Sequence, residues 1–202
     1  MTLHLKILLL ILTLAVSAHA AEIDRAAAAL PGSEASFTQQ FTPKGFKNSQ
    51  SESGTVIFGP LPQMRWSYSS PELKLFVFDG TRSWFYIPAD KQVTVADLDA
   101  ERRAELPFLI IGNPAARDRA FAVKETTKGN MVTATLQPRS GAAMIRNVAV
   151  SIDASTHLIR SVSYTDREGN QTTFSFGGFH KRATSPDLFK FNVPAGVQVV
   201  QQ

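Results

Sequence analysis

The stretch GTVIFGPLPQMRWSY, residues 54–68, carries the reading of the fold. Val56, Ile57 and Phe58 are strand formers, whereas Gly59-Pro60-Leu61-Pro62 includes two residues without a backbone N–H and does not belong inside a sheet. Beyond it Met64, Trp66 and Tyr68 alternate with Arg65 and Ser67. Alternate residues of a strand share a face, so this is a strand that stops and resumes with three large side chains on one side. The interruption is expected to mark the rim of a curved sheet.

Working outward, the same period of two recurs along most of the chain. Phe37 and Phe41 precede the quoted stretch; Leu75 to Phe78 and Trp84 to Ile87 flank Asp79-Gly80, a hairpin signal; Val93 and Val95 follow. Val132, Ala134 and Leu136 share a face, as do Val148, Val150 and Ile152, then Leu158, Val162 and Tyr164. Glu168-Gly169-Asn170 turns the chain into Thr172, Phe174 and Phe176. Roughly ten to eleven strands at this spacing predict a mainly β chain (α+β) whose continuous antiparallel sheet curves into an unclosed barrel.

Helical spacing occurs in three places. Ile23, Ala26, Ala27 and Leu30 give a short amphipathic helix over residues 22–30, ended by Pro31-Gly32. Residues 97–106 are charged and helix-forming, and LPFLIIGNP at 106–114 is an apolar cluster bounded by prolines. A further helical piece, 114–119, leads into a strand at Phe121. The runs Phe76-Val77-Phe78 and Trp84-Phe85-Tyr86 break the apolar-in, polar-out rule, which implies that both faces of that hairpin are covered. A helix and a loop packed on either side account for this, and so does an apolar concave face that holds a ligand.

The first twenty residues stand apart. His4 and Lys6 give a positive start, residues 7–16 are an apolar run, and Ala18-His19-Ala20 supplies small residues at a cleavage position. That run is too short to cross a bilayer, so residues 1–20 read as a cleaved secretory signal with the cut after Ala20. Residues 21–202 then form a single exported domain, expected in the periplasm. With no cysteine, the chain has no acylation anchor of the lipobox kind and no disulfide. The formal charge of +4 falls to +3 without Lys6, and the basic residues are scattered, which argues against a nucleic-acid partner.

Catalytic motifs are missing. There is no G-x-S-x-G elbow, P-loop or dinucleotide fingerprint. Beyond residue 20 only His157 and His180 remain, both read as solvated loop histidines, so no metal site is expected. Asp79, and Asp166 with Glu168, belong to turns. Glu101 and Glu105 could share a helix face, but nothing else supports a two-carboxylate hydrolase, and no enzyme is expected.

Seven segments, in order, carry a family resemblance: Phe37-Thr38-Gln39-Gln40-Phe41, Ser53-Gly54-Thr55-Val56, Pro60 with Met64-Arg65-Trp66, Asp79-Gly80 with Trp84-Phe85-Tyr86-Ile87-Pro88, Pro107-Phe108-Leu109-Ile110-Ile111, Asp166 with Gly169-Asn170, and Phe189-Lys190-Phe191-Asn192-Val193-Pro194-Ala195-Gly196-Val197. Their order and spacing resemble the LolA family of periplasmic outer-membrane lipoprotein carriers. The resemblance implies an apolar cavity under a helical lid that takes the acyl chains of lipoproteins from an inner-membrane ABC transporter and delivers them to an outer-membrane receptor. By that resemblance Met64, Trp66 and Tyr68, with Phe37, Phe41, Leu136 and Phe174, line the cavity. Phe108, Leu109, Ile110 and Ile111 belong to the lid; no cofactor is implied, and a monomer is expected. The family's arginine before the first proline, which holds the lid by bonding helix backbone, is replaced here by Gly59. That latch is therefore absent or supplied elsewhere; Arg65 points away from the cavity by alternation. A lipid- or lipoprotein-sensing module, or a carrier of another lipid, would share the same fold.

Overall fold

The computed structural model describes residues 21–99, 103, 106–141 and 144–202. The expected signal at 1–20, and Glu101 and Glu105 with half of the expected helix at 97–106, lie outside the described residues. Within that helix Arg103 is helical, its N–H donating to the Asp99 carbonyl at 3.0 Å, whereas its expected start differs, because Asp97 closes a strand and pairs with Arg82.

Twelve strands form one sheet: β1 Ser33–Thr42, β2 Gln50–Phe58, β3 Met64–Ser70, β4 Lys74–Phe78, β5 Arg82–Ile87, β6 Gln92–Asp97, β7 Phe121–Lys128, β8 Met131–Pro138, β9 Ile145–Asp153, β10 Leu158–Asp166, β11 Gln171–Lys181 and β12 Gln198–Gln201. Their order is β12-β6-β5-β4-β3-β2-β1-β11-β10-β9-β8-β7, so β7 and β12 are free edges and the barrel is unclosed. Sequence periodicity accounts for eleven of these; the twelfth, β12, runs parallel to β6 and has no inward apolar pattern of its own. The described residues also form three short α-helices, α1 Glu22–Ala29, α2 Pro107–Ile111 and α3 Pro114–Ala120, and a 3-10 turn at Pro186–Phe189.

The quoted stretch turns out to be a chain reversal rather than one strand resumed. β2 ends at Phe58 and β3 starts at Met64, antiparallel to it, with Phe58 opposite Met64 and Val56 opposite Trp66. The intervening 59–63 loop closes on itself: Gly59 N–H donates to the Gln63 carbonyl at 3.0 Å, and Gln63 N–H to the Pro60 carbonyl at 3.0 Å. Two prolines in five residues remove ladder donors, which makes this segment a hairpin loop at a rim.

The double apolar run of the β4–β5 hairpin is resolved by register. Trp66, Phe76 and Phe85 are successive cross-strand partners on the concave face. Val77, Trp84 and Val95 are partners on the convex face. There the C-terminal segment covers them: Phe189, buried, lies against Gly59, Phe191 packs on Tyr86 at 5.3 Å, and Arg65 Nη1 donates to the Leu188 carbonyl at 3.2 Å. Arg65 thus serves the convex side, opposite Met64, Trp66 and Tyr68.

The main core fills the concave side. Leu136, Val148, Val150, Ile152 and Val162 form its floor on β8, β9 and β10, and α1 presses Ile23, Ala26, Ala27 and Leu30 onto it. Burying a side chain of this kind is worth about 1.5–3 kcal/mol, which is what holds so short a helix in place. Its N-terminus is held by a distant strand: Glu125 on β7 accepts from Glu22 N–H at 3.0 Å and Ile23 N–H at 2.8 Å, satisfying two of the orphan donors every helix start leaves.

Candidate functional site

The site is the aromatic part of the concave face. Trp66 is its centre: Phe37 lies 4.9 Å away, Phe108 4.8 Å and Phe174 5.2 Å, between ring centroids. Phe37, Trp66 and Phe174 come from three strands, β1, β3 and β11, whose alternation aims them at one point. Phe108 comes from α2 and descends onto Trp66, Phe174 and Phe176, the last two at 5.4 and 5.7 Å. Edge-on and tilted contacts of this kind add roughly 0.5–1.5 kcal/mol per pair to the burial itself.

Beside this cluster lies an apolar cavity of about 180 Å³, lined by Met64, Trp66, Tyr68, Phe76, Phe85, Leu106, Pro107, Phe108, Tyr164 and Phe174. Its walls are strand residues and its roof is α2. A larger groove, about 370 Å³, runs outside the lid between the 59–63 loop and α2–α3, with Arg103 and Arg119 among its lining residues. No aromatic residue lines it.

Of the residues read from sequence as lining, Met64, Trp66, Tyr68 and Phe174 border the cavity. Phe37 is buried directly behind Trp66 and Tyr68. Leu136 is fully buried in the floor under α1 and does not reach the cavity. Phe41 shares the parity of Phe37 but lies two residues past Gln39, where β1 has left the covered region, and it stands half-buried outside the core. Phe76, Phe85 and Tyr164 were not singled out as lining. Phe76 and Phe85 were hidden inside unbroken apolar runs, and the missing signal was the register that sets them beside Trp66.

The four lid residues are all buried, in a single turn and a half of helix that begins with Pro107. Phe108 faces the cavity, while Leu109 and Ile110 also line the outer groove. Proline at the first helical position costs no hydrogen bond and fixes where the helix starts. α3 follows at once, its start capped by Asn113, whose Oδ1 accepts from Ala116 N–H at 3.1 Å.

Polar groups clamp the helices to one another. Arg117 on α3 is almost wholly buried and reaches Asp24 on α1, Nη2 to Oδ1, at 2.7 Å, with Nε on Asp118 at 2.9 Å. Its Nη1 is buried with no hydrogen-bond partner among the described residues. Glu22 on α1 is buried and bonded to Arg25 and to His157 Nδ1, the latter at 2.5 Å. His157, still 42% exposed in its turn, is thus a partly solvated loop histidine that also anchors α1. Burial works to raise the Glu22 carboxyl, but the hydrogen bonds from Arg25 and His157 outweigh it and hold it below the usual value. The place of the expected latch arginine is filled differently: a Cβ on Gly59 would meet Phe189 Cζ at 2.5 Å, so the C-terminal ring occupies that space.

Among the described residues no group of three or more metal-ligating side chains is found. Asp79 and Asp166 accept backbone N–H bonds in their own turns. What the arrangement offers is an apolar compartment with a short helix for a roof, on an open antiparallel sheet. These features make a cavity that an apolar group could enter.

Comparison with known proteins places the fold. The family model for "Outer membrane lipoprotein carrier protein LolA" matches residues 29–192, and the chain belongs to that family. An outer-membrane lipoprotein carrier protein of Nitrosospira multiformis is 31% identical over 169 residues, covering 83% of this chain and 81% of that one. Its counterpart in Aliivibrio salmonicida is 31% identical over 173 residues, covering 85% and 84%. Among solved structures, a conserved protein of Thermus thermophilus superposes with a TM-score of 0.55 at 14% identity, covering 90% of this chain and 97% of that one.

Proposed function

We propose that this chain is a periplasmic carrier that takes the acyl chains of lipoproteins released from the inner membrane and passes them to an outer-membrane receptor. The observation that carries the reading is the apolar cavity roofed by α2, in a member of the LolA family. Export follows from the signal at residues 1–20, cut after Ala20. Loading falls to an inner-membrane ABC transporter, since this chain's sequence has no nucleotide motif. The carrier works as a monomer and without catalysis.

Size and energy both require the roof to move. A methylene is close in volume to a water molecule, about 30 Å³, so 180 Å³ holds about six such groups and not a long chain. Uptake must lift α2 and separate Phe108 from Trp66. A chain of about 14 methylenes is worth roughly 11 kcal/mol at ~0.8 kcal/mol each. The lid side chains are buried in the empty state and give up part of that burial when α2 lifts, roughly 1.5–3 kcal/mol for Phe108, the one that faces the cavity. That cost offsets part of the gain from the chain, which lets the carrier hold its cargo and still give it up.

Phe108→Asp places a charge where the roof meets Trp66. Mature protein with this change is expected to recover at least several-fold less acylated lipoprotein from inner-membrane vesicles. Undiminished loading contradicts the placement of α2 as the lid, and a wild-type chain that never takes up acylated cargo contradicts the carrier reading.

A further inference from the structure

The cavity is apolar along most of its length but ends in polar groups. Tyr68 is the last cavity residue of β3 before the strand becomes exposed at Ser69 and Ser70. Its hydroxyl donates to Gln39 Oε1 at 2.7 Å. Gln39 keeps both Nε2 N–H donors without a partner among the described residues. Tyr164, from β10, lines the same end, opposite Thr172 across the ladder.

The charges nearest this end neutralise each other. Lys74 stands opposite Tyr68 and Glu52 opposite Gln39, and Lys74 Nζ donates to Glu52 Oε1 at 2.5 Å. Burial, then the Glu52 charge and Tyr164, push the Tyr68 phenol well above its usual value, so it stays a neutral hydroxyl. The donor on offer is the neutral Gln39 Nε2 amide, since Tyr68 already gives its proton to Gln39 Oε1, and a neutral donor in a low-dielectric setting suits a neutral acceptor. A free carboxylate would meet Glu52 and find Lys74 already engaged.

We propose that Gln39, Tyr68 and Tyr164 form a binding site for the carbonyl that joins an acyl chain to its carrier, an ester or an amide, with the hydrocarbon lying in the cavity beyond Trp66. The inference rests on the carrier reading and adds to it a point of registration. The site fixes how deep the chain enters, and it favours linked acyl groups over free fatty acids.

The test uses the mature chain and two synthetic diacylglyceryl peptides, identical except that one is ester-linked and the other ether-linked. The ester twin is expected to bind about tenfold more tightly, as one or two retained hydrogen bonds imply. Gln39→Leu, Tyr68→Phe and Tyr164→Phe are each expected to narrow the ester-to-ether affinity ratio toward one. A free fatty acid of equal length is expected to bind more weakly than the ester twin. Equal binding of the twins by the wild type overturns the proposal, as does an equal loss for both twins in the folded variants, or tighter binding of the free acid. Binding of neither twin is a different failure, since it removes the carrier reading itself.

Discussion

Gly59 shows how one residue can change what a familiar position does. Its neighbours Pro60 and Pro62 read correctly as excluded from a sheet, but sequence gives no sign that the ring of Phe189, far along the chain, fills the space a side chain would need. Gly59→Ala is expected to cost about 1–3 kcal/mol, as overpacking does in a filled interior, read as a lower denaturation midpoint. An unchanged midpoint would mean that Phe189 yields freely. At the same scale, Glu22 gives the fold a pH dependence. Its carboxyl is held below 4.5, so its stabilising contribution is present above that pH and is lost as pH falls through the lower, folded-state value. Glu22→Gln should flatten the stability curve on the acid side of pH 4.5 relative to the wild type. Parallel curves there would assign the acid loss to other carboxylates. Neither His157 nor Glu125 announces its role in the sequence, because each acts on α1 from more than 100 residues away.

Among the elements, the strands were legible and the helices' attachments were not. Alternation located Phe37, Trp66, Tyr68 and Phe174 on their strands, since a period of two leaves only one choice of face. It failed where both faces are buried: Phe76 and Phe85 became lining residues only through their register with Trp66. It misplaced Phe41, whose parity is right but whose strand outruns its cover. Nor does β12 show itself, because Gln198–Gln201 has no inward face and gains its place by adding in parallel to β6. The helices α1 and α3 are joined by the Arg117–Asp24 pair, in which the arginine side chain is 2% exposed and the aspartate side chain 34%. Asp24→Ala leaves a buried guanidinium short of its counter-charge and is expected to cost about 1–3 kcal/mol, below the full penalty because Asp24 is partly solvated. Arg117→Met, which removes the charge and keeps the bulk, should cost less. Hydrogen exchange of the α1 and α3 amides checks this, and faster exchange in Arg117→Met than in Asp24→Ala would contradict it.

The molecule as a whole joins an unclosed sheet to a short helical roof, which uptake of the proposed cargo would lift. Free edges at β7 and β12 leave the barrel without a full ring of hydrogen bonds. The aromatic cluster and Met64 can repack around a chain that lacks one fixed shape. Two layers on the β4–β5 hairpin divide the labour: the concave layer faces the cavity, and the C-terminal segment seals the convex layer with Phe189 and Phe191. The cargo proposed for the cavity is the acyl chains of lipoproteins. Native mass spectrometry of the chain isolated from the periplasm of its own cells, under conditions that keep non-covalent ligands, would reveal it. Complexes whose added mass is that of acylated lipoproteins are expected, and fewer of them in Phe108→Asp. Protein that carries no ligand, or only free lipid at undiminished level in Phe108→Asp, would contradict it.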